Sequence, residues 1–312
     1  MHIIYKEISI YNEKANFMKN IEKIVFLSAW IVLTFVGLAE PKPSNFYFIS
    51  AIEKFSDDYR FEGLSSILIN DEELYVVDNG GNHIYIFNLD GASVFQFGKE
   101  KGITLPIDVF VFNNYIYVSA EGKDFIEILN MRGEKIGEIE PPYEGFAPGK
   151  MAAIEREGFF VVDRKSLNIC AFDRDGKYQY KFGGRNLFKS IGGIAAKNGK
   201  IYVSVMSADP VIRIFDTKGE YLTGFGHIGE SDQYFSMPSG IKVDDNGNIW
   251  VVDAFKHRVI GFNIEGKRQG EFGKSGNPKE DLYYPLSVDS KGDMFYVIEK
   301  GRGRISMFKR MD

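Results

Sequence analysis

Cysteine, histidine and surplus charge are all scarce in this sequence. Cys170 is the single cysteine among 312 residues, so neither an intramolecular disulfide framework nor a cysteine-based zinc site can form. Lysine and arginine total 38 against 43 aspartate and glutamate residues, which gives a net charge of -5. A chain with this balance has no broad positive field for a nucleic-acid backbone.

Hydrophobic and aromatic residues, in contrast, are plentiful. Apolar residues make up 44 % of the chain, which contains 27 Phe, 17 Tyr and 33 Gly. This composition excludes a disordered or low-complexity chain, because so much apolar surface can be buried in a packed core. Abundant glycine beside abundant aromatics predicts a turn-rich globular fold of mostly β structure.

The N-terminal region has the pattern of an export segment. Residues 24–39 are an uncharged apolar run of 16 that follows Lys19 and Lys23. This pattern is typical of a secretory signal peptide, which we predict over 18–39. Residues 1–17 are then an extension that results from a start codon assigned too far upstream. The alternative is an uncleaved anchor, since roughly 16 helical residues reach about 24 Å, slightly short of a bilayer core. We therefore expect an extracytoplasmic protein, periplasmic or secreted, that contacts a membrane only through an uncleaved 24–39 segment.

One strand pattern recurs along the rest of the chain. Six short apolar runs end at Asp78, Ser119, Asp163, Ser204, Asp253 and Glu299. Successive ends lie 41 to 49 residues apart, which is the period of a four-stranded unit. Most units also contain an x-Gly turn, as at Asp90-Gly91, and a fourth strand closing on Phe-Gly, as at Phe97-Gly98. Glycine tolerates the positive φ that tight hairpin turns demand.

Six units of four antiparallel strands predict an all-β fold, a six-bladed β-propeller. Packed radially, such units bury one another's faces. The propeller is expected to span 46–312 after a linker at 40–45. Its sixth unit has only three strands of its own, so we expect the strand at 46–55 to complete that blade and close the ring. The predicted units are 62–98, 105–142, 146–184, 190–228, 237–273 and 284–312.

Unit five has the most regular pattern. Between Pro238 and Gly273 it contains P-x-G-I-x-V-D, then I-W-V-V-D-x-x-x-H-R-V, then F-G. This pattern resembles the NHL repeat, and the resemblance covers 46–312 with units two, four and six divergent. It implies a six-bladed propeller. NHL-type propellers include scaffolds and binders of proteins and RNA, and related six-bladed families include lyases and lactonases.

The first residues of the inner strands should ring one mouth of the central channel. Asp108 and Lys150 lie in adjacent units, so a salt bridge between them is expected, with a contact to a substrate or peptide as the alternative. The aligned positions are Ser66, Asp108, Lys150, Gly193, Gly240 and Ser287.

Acidic residues recur where the second strands end. Asp78, Asp163 and Asp253 are expected to accept hydrogen bonds from backbone amides of their own loops, as Asp does in turns. The alternative is a carboxylate ring around a cation, for which hard oxygen ligands suit calcium. Because Ser119 and Ser204 interrupt that ring, we predict no cofactor and keep calcium as the alternative.

Cations gather in the loops after the second strands. Such a face would receive an anionic ligand or an acidic segment of a protein, and the alternative is solvated loop charge. Export disfavours nucleic acid. His83 and His257 align as loop histidines of units one and five, which lie too far apart for the two to share a metal ion. The predicted ligand- or partner-binding residues are Asp108, Lys150, Lys123, Arg164, Lys165, Lys256, His257, Arg258 and His83.

Known catalytic templates are missing. The chain lacks G-x-S-x-G, H-E-x-x-H, G-x-x-x-x-G-K-[ST] and C-x-x-C-H. We therefore predict an exported, non-catalytic binding or scaffold protein, a monomer in preference to an oligomer, whose loop face around the channel binds a protein partner or an anionic ligand. One alternative is a channel-mouth hydrolase or lyase of the six-bladed lactonase kind, with calcium. Another is a tethered structural subunit of an envelope complex.

Overall fold

The computed structural model describes residues 45–154, 157–273 and 280–311. These residues form 24 β-strands in six four-stranded antiparallel sheets, and each sheet is one blade of a propeller. The predicted fold class is therefore confirmed. The predicted extension at 1–17, the signal peptide or anchor at 18–39 and nearly all of the linker lie outside the described residues.

The first strand, β1 (Asn45–Ile52), belongs to the last blade. In the first three blades the four strands follow chain order from the channel outward. Blade 1 comprises β2 (Leu64–Asn70), β3 (Glu73–Asp78), β4 (His83–Asn88) and β5 (Ser93–Gly98). Blade 2 comprises β6 (Pro106–Phe112), β7 (Tyr115–Ala120), β8 (Ile126–Leu129) and β9 (Lys135–Ile139). Blade 3 comprises β10 (Pro148–Ile154), β11 (Gly158–Asp163), β12 (Asn168–Asp173) and β13 (Tyr178–Gly183).

The remaining blades repeat this order. Blade 4 comprises β14 (Ile191–Lys197), β15 (Lys200–Val205), β16 (Ile212–Asp216) and β17 (Tyr221–Phe225). Blade 5 comprises β18 (Pro238–Val243), β19 (Ile249–Asp253), β20 (Arg258–Phe262) and β21 (Arg268–Phe272). Blade 6 comprises β22 (Pro285–Lys291), β23 (Met294–Glu299), β24 (Arg304–Met311) and β1.

Blade 6 is closed by the N-terminal strand, as predicted. β1 pairs antiparallel with β24 from Asn45 opposite Met311 to Ile52 opposite Ile305. The ring of Phe46 in β1 stacks on a ring of blade 5, that of Phe272, with 4.4 Å between centroids. The two ends of the described chain therefore close the ring in one sheet and bury aromatic surface at the junction of blades 5 and 6.

The recurring Phe-Gly and x-Gly motifs meet each other at the junctions between blades. Gly266, in the outer turn of blade 5, has φ +78°, and a β-carbon there would lie 2.7 Å from Cγ of Phe225 at the end of blade 4. Gly133 and Gly219 face Phe97 and Phe182 in the same way. Glycine is thus required at these turns both for the positive φ and for the close approach of the preceding blade's closing ring.

The hydrophobic core is divided among the six junctions. Each of six buried clusters draws its side chains from two neighbouring blades. Val77 and Ile84 of blade 1, for example, pack with Val109 and Val118 of blade 2. An isolated blade would expose these faces, so burial between neighbours, worth roughly 25 cal/mol per Å² of apolar surface, stabilises the ring as a unit.

Helical structure is confined to one short element in the part of the chain that the structure describes. A single 3₁₀ turn covers Lys99–Lys101. Across the same residues, no helix has the length and apolar character needed to cross a membrane.

Candidate functional site

The mouth of the central channel is built from the beginnings of the six inner strands. Each inner strand has a register shift within its first four residues, a β-bulge that turns the local side chains. We call the side of the propeller where inner strands begin and second strands end the loop face. The six aligned positions all line one central cavity of about 270 Å³, as expected from the repeat: Ser66, Asp108, Lys150, Gly193, Gly240 and Ser287.

Asp108 and Lys150 form the expected ion pair, with 3.6 Å between Nζ and Oδ1. Asp108 is buried and also accepts hydrogen bonds from the Ser66 hydroxyl and, at 2.7 Å, from the Met151 amide. Lys150 Nζ donates to the Ser65 carbonyl at 2.9 Å. This cluster joins blades 1, 2 and 3, and its hydrogen bonds offset the cost of burying the carboxylate.

A second ion pair in the channel escaped the sequence analysis. Lys242 of blade 5 pairs with Asp289 of blade 6, whose Oδ2 accepts the Ile69 amide of blade 1 at 2.8 Å. Lys242 and Asp289 lie two positions beyond the aligned Gly240 and Ser287. Because side chains two apart in a strand share a face, that spacing was the signal that could have found them.

The recurring aspartates are buried and accept backbone amides, but the loops predicted from the sequence as donors supply only part of them: Gly81 donates to Asp78 and Lys165 to Asp163. Asp78, Asp163 and Asp253 each accept amides from the segment that precedes the inner strand of their own blade. Asp253, for example, accepts the amides of Ser236 and Met237 at 3.1 and 3.0 Å. Among the described residues, no group of three or more His, Cys, Asp and Glu side chains is placed to hold a metal ion. Calcium therefore stays an alternative without an identified ligand set in this part of the chain.

Some of the predicted cations pair with nearby acids. Lys123 lies 2.6 Å from Glu127, which is itself buried. Arg164 lies 3.3 Å from Glu121, and both side chains are partly exposed. Lys165 is exposed at the edge of the same loop. Lys123 is therefore paired with a carboxylate of its own blade, whereas Arg164 and Lys165 still present positive charge to solvent.

Lys256 and Arg258 hold the segment at 226–237, which enters blade 5. Lys256 Nζ donates to the Tyr234 carbonyl at 2.7 Å, and an Arg258 Nη donates to the same carbonyl at 3.1 Å. Arg258 also pairs with Glu271 at 3.1 Å. These two cations stabilise a loop, which leaves less of their charge for a partner.

The structure corrects the alignment of the two loop histidines. His83 begins β4 and Arg258 begins β20, so these two residues correspond. His257 corresponds instead to Asn82, and both have a positive φ, 57° and 58° respectively. His83 Nδ1 lies 2.7 Å from the Gly81 carbonyl of its own loop. The two histidines therefore differ in position as well as in blade.

Asn82 and His257 make the same contact to the next blade, which we call the inter-blade clasp. Asn82 Oδ1 accepts the Leu105 amide at 2.7 Å, and His257 Nδ1 accepts the Tyr284 amide at 3.0 Å. Leu105 and Tyr284 have φ values of 46° and 49°, rare for large side chains. Burial, assisted by the positive charge of Arg302, lowers the pKa of His257. Its ring is therefore neutral near pH 7 and free to accept this hydrogen bond.

Exposed aromatic side chains surround the second clasp. Phe255, Tyr283 and Tyr284, which we call the aromatic corner, are 54, 42 and 39 % exposed. The centroid of Tyr284 lies 6.0 Å from that of Phe255 and 5.0 Å from that of Tyr283. His257 stacks on Tyr283 at 5.3 Å. This corner was not predicted from the sequence, where two consecutive tyrosines directly before Pro285 were the available signal.

The single thiol lies apart from these sites. Cys170 is buried in β12, 3.4 Å from the Tyr143 hydroxyl. Burial raises the pKa of Cys170 to about 11, so the thiol stays protonated and unreactive near neutral pH.

Comparisons with known proteins support this fold. Residues 184–273 match a family model, DUF5128, described as a 6-bladed beta-propeller. Protein brain tumor of Drosophila melanogaster is 27 % identical over 134 residues, which are 41 % of this chain and 12 % of that protein. Since neither match reaches half of the chain, they support a six-bladed propeller and leave the NHL repeat as a resemblance.

Solved structures of the same architecture are also similar. Virginiamycin B lyase from Staphylococcus aureus has a TM-score of 0.59 at 12 % identity, over 86 % of this chain and 99 % of that one. A Bacteroides thetaiotaomicron protein of unknown function has a TM-score of 0.63 at 16 % identity, over 86 and 76 % of the two chains. At these identities the likeness concerns the fold alone.

Proposed function

We propose that this protein is an exported, non-catalytic binding module whose loop face holds a protein partner. The observation that carries the proposal is the aromatic corner. Phe255, Tyr283 and Tyr284 expose large apolar rings beside one another on the face where the loops converge. Clustered exposed aromatic surface is costly in water and is typical of protein interfaces, where Tyr and Phe act as anchors.

The corner is held ready for binding by its backbone contacts. Tyr284 keeps its unusual φ because its amide donates to His257 and its carbonyl accepts the Lys300 amide at 2.9 Å. The ring of Tyr283 stacks on His257 and also contacts the guanidinium of Arg302, which lies 5.6 Å from its centroid. A surface ordered before association loses less conformational entropy on binding, which favours affinity.

Bonding within the chain supports a non-catalytic role. The repeated aspartates are engaged by amides, and the channel pair of Asp108 and Lys150 is engaged by neighbouring blades. A general base or nucleophile needs an accessible, activated group. The groups on this face instead hold loops and blades together.

The test is partner capture followed by binding measurements on matched variants. The double variant Phe255→Ser, Tyr284→Ser removes two rings of the corner. The control, Tyr221→Ser with Leu222→Ser, removes two exposed apolar side chains from the outer strand β17. For a captured protein, we expect the corner variant to bind at least about tenfold more weakly and the control to bind like the original, since anchors cost more than about 1 kcal/mol each. Equal binding by the corner variant refutes this use of the face.

An enzyme at the channel mouth is the second candidate. The observation in its favour is a cavity of about 270 Å³ that contains the ion pair of Asp108 and Lys150. Turnover of lactones or phosphoesters that is abolished by Lys150→Met, together with a rise in Tm with calcium relative to chelator, would establish it. The tethered-subunit alternative depends on 24–39, and N-terminal sequencing of native material decides whether that segment is kept.

A further inference from the structure

One sector of the loop face is rich in positive charge. The loops at 164–167 and 184–190 contain four basic residues and no acidic residue. All four are exposed, and we call them the cationic sector: Arg164, Lys165, Arg185 and Lys189. Arg164 is paired with Glu121. In the described parts of the chain, no carboxylate lies within 4 Å of the charged groups of the other three.

Contacts between the two loops hold this sector in one arrangement. The Arg185 guanidinium donates to the Lys165 carbonyl, and the Gly184 amide donates to the Leu167 carbonyl at 3.0 Å. Phe188 is buried, so it anchors the second loop against the blade. The cations therefore stand on fixed backbone, and ordering them for a ligand costs mainly side-chain entropy.

An apolar side chain lies among these cations. Leu187, between Arg185 and Lys189, is 38 % exposed, and its carbonyl accepts a hydrogen bond from Arg213. The guanidinium of Arg213 also lies 5.7 Å from the centroid of the Phe188 ring. The surface thus offers cations around one exposed leucine, which complements carboxylates around one apolar side chain.

The adjoining sector of the same face has the opposite charge, and its Glu121 is the partner of Arg164. Loops of blades 1 and 2, together with the segment that enters blade 1, contain nine acidic and five basic residues over 53–63, 99–105, 121–125 and 140–147. An anionic membrane laid on the loop face would meet these acids as well as the cations. A peptide can occupy the cationic sector alone, so the charge distribution favours a peptide.

We propose that the cationic sector binds an acidic, leucine-containing segment of the protein partner. The carboxylates of this segment pair with Lys165, Arg185 and Lys189, and an apolar side chain of the segment covers Leu187. This inference rests on the proposed function and gives the partner's chemistry.

The test uses a fluorescein-labelled peptide of Glu, Asp and Leu and the full chain. The sector variant carries Lys165→Ser, Arg185→Ser and Lys189→Ser. The control variant carries three substitutions to Ser of exposed lysines in outer turns on the opposite face, with the same change in net charge: Lys177, Lys218 and Lys267. Fluorescence anisotropy gives Kd at low and high salt, and vesicles with one third anionic lipid form a second arm.

The sector variant is expected to bind the peptide about tenfold more weakly, because three partly exposed ion pairs are lost. The control is expected to match the original protein, and affinity should fall with added salt. Equal loss in both variants, no binding of the peptide by the original protein, or vesicle binding through these residues in its place each overturn the inference. Partner capture that still depends on the aromatic corner then shows that the proposed function survives.

Discussion

The junction between blades 1 and 2 and the junction between blades 5 and 6 share one framework and differ in what they expose. In both, a residue of positive φ at the end of a loop accepts the amide that precedes the next inner strand. Asn82 and Leu105 form the first clasp, and His257 and Tyr284 form the second. The hydrogen bond and the backbone are the same, so these features belong to the architecture.

The difference lies at a neighbouring loop position, where Gly80 of blade 1 corresponds to Phe255 of blade 5. A β-carbon at Gly80 would lie 2.9 Å from the Glu62 carbonyl carbon, so no side chain fits there. Phe255 stands in solvent and contacts Tyr284. Two junctions with the same framework can thus expose different side chains. We expect binding sites at the positions where the side chains depart from the repeat.

The largest effect is expected at Asp78 and Asp253, which occupy the same position in blades 1 and 5, at the start of the loops that form the two clasps. Asp78→Ala and Asp253→Ala each leave at least two backbone amides without their acceptor. Hydrogen bonds to a buried charge contribute more than neutral ones, so we expect each variant to lose about 3 kcal/mol of unfolding free energy. Urea denaturation measures this loss. Asp90→Ala, in an exposed outer turn, is the control and should change stability by less than about 0.5 kcal/mol.

If only one of the two aspartates is needed for stability, the loops of blades 1 and 5 are not stabilised in the same way. A loss below about 1 kcal/mol in either variant would be such a result, because it corresponds to an ordinary surface hydrogen bond.

A smaller effect is expected at the position where the junctions differ. Gly80→Ala forces a β-carbon against the Glu62 backbone and should cost about 1 to 3 kcal/mol, as overpacked sites do. Phe255→Ala removes an exposed ring and should cost less than about 1 kcal/mol, while weakening partner binding. Denaturation and binding are measured on both variants. Equal destabilisation by the two would show that Phe255 is part of the framework.

The repeat made the framework predictable from sequence. Alternation, x-Gly turns and the acids at strand ends identified six blades, the closing strand and the channel positions, because each reflects a local rule that recurs along the chain. The ion pair of Asp108 and Lys150 followed from aligning neighbouring units. The same alignment was wrong by one position for His83. It was matched to His257 because the two residues are of the same type, whereas the sequence does not show at which residue each loop ends.

The exposed surfaces were less predictable, because they depend on contacts between segments distant in sequence. Lys256 and Arg258 are basic in sequence but bond to the loop that precedes their own blade. Arg185 and Lys189 joined the cationic sector only when the structure placed their loop against that of Lys165. Charge near a site could therefore be found from sequence, whereas its neutralisation within the chain could not.

The smallest expected effect is a difference between the two clasps in how the unfolding free energy depends on pH. Burial and Arg302 lower the pKa of His257, while Asp253 and Glu299 oppose that shift. Below a pH of about 6.5 the unfolded chain therefore binds a proton that the folded chain resists, so unfolding free energy falls as the pH falls.

Blade 1 provides both the substitution and the control for this pH dependence. His257→Asn introduces the acceptor found at the first clasp and should keep the hydrogen bond while reducing the loss of stability between about pH 7.5 and about pH 5.5. Asn82→Ala removes the first clasp without touching a titratable group, so it should lower stability equally at both pH values. Urea denaturation at the two pH values measures each slope. An unchanged slope in His257→Asn would mean that the imidazole is not held neutral by the clasp, and the two junctions would then differ only in the rings they expose.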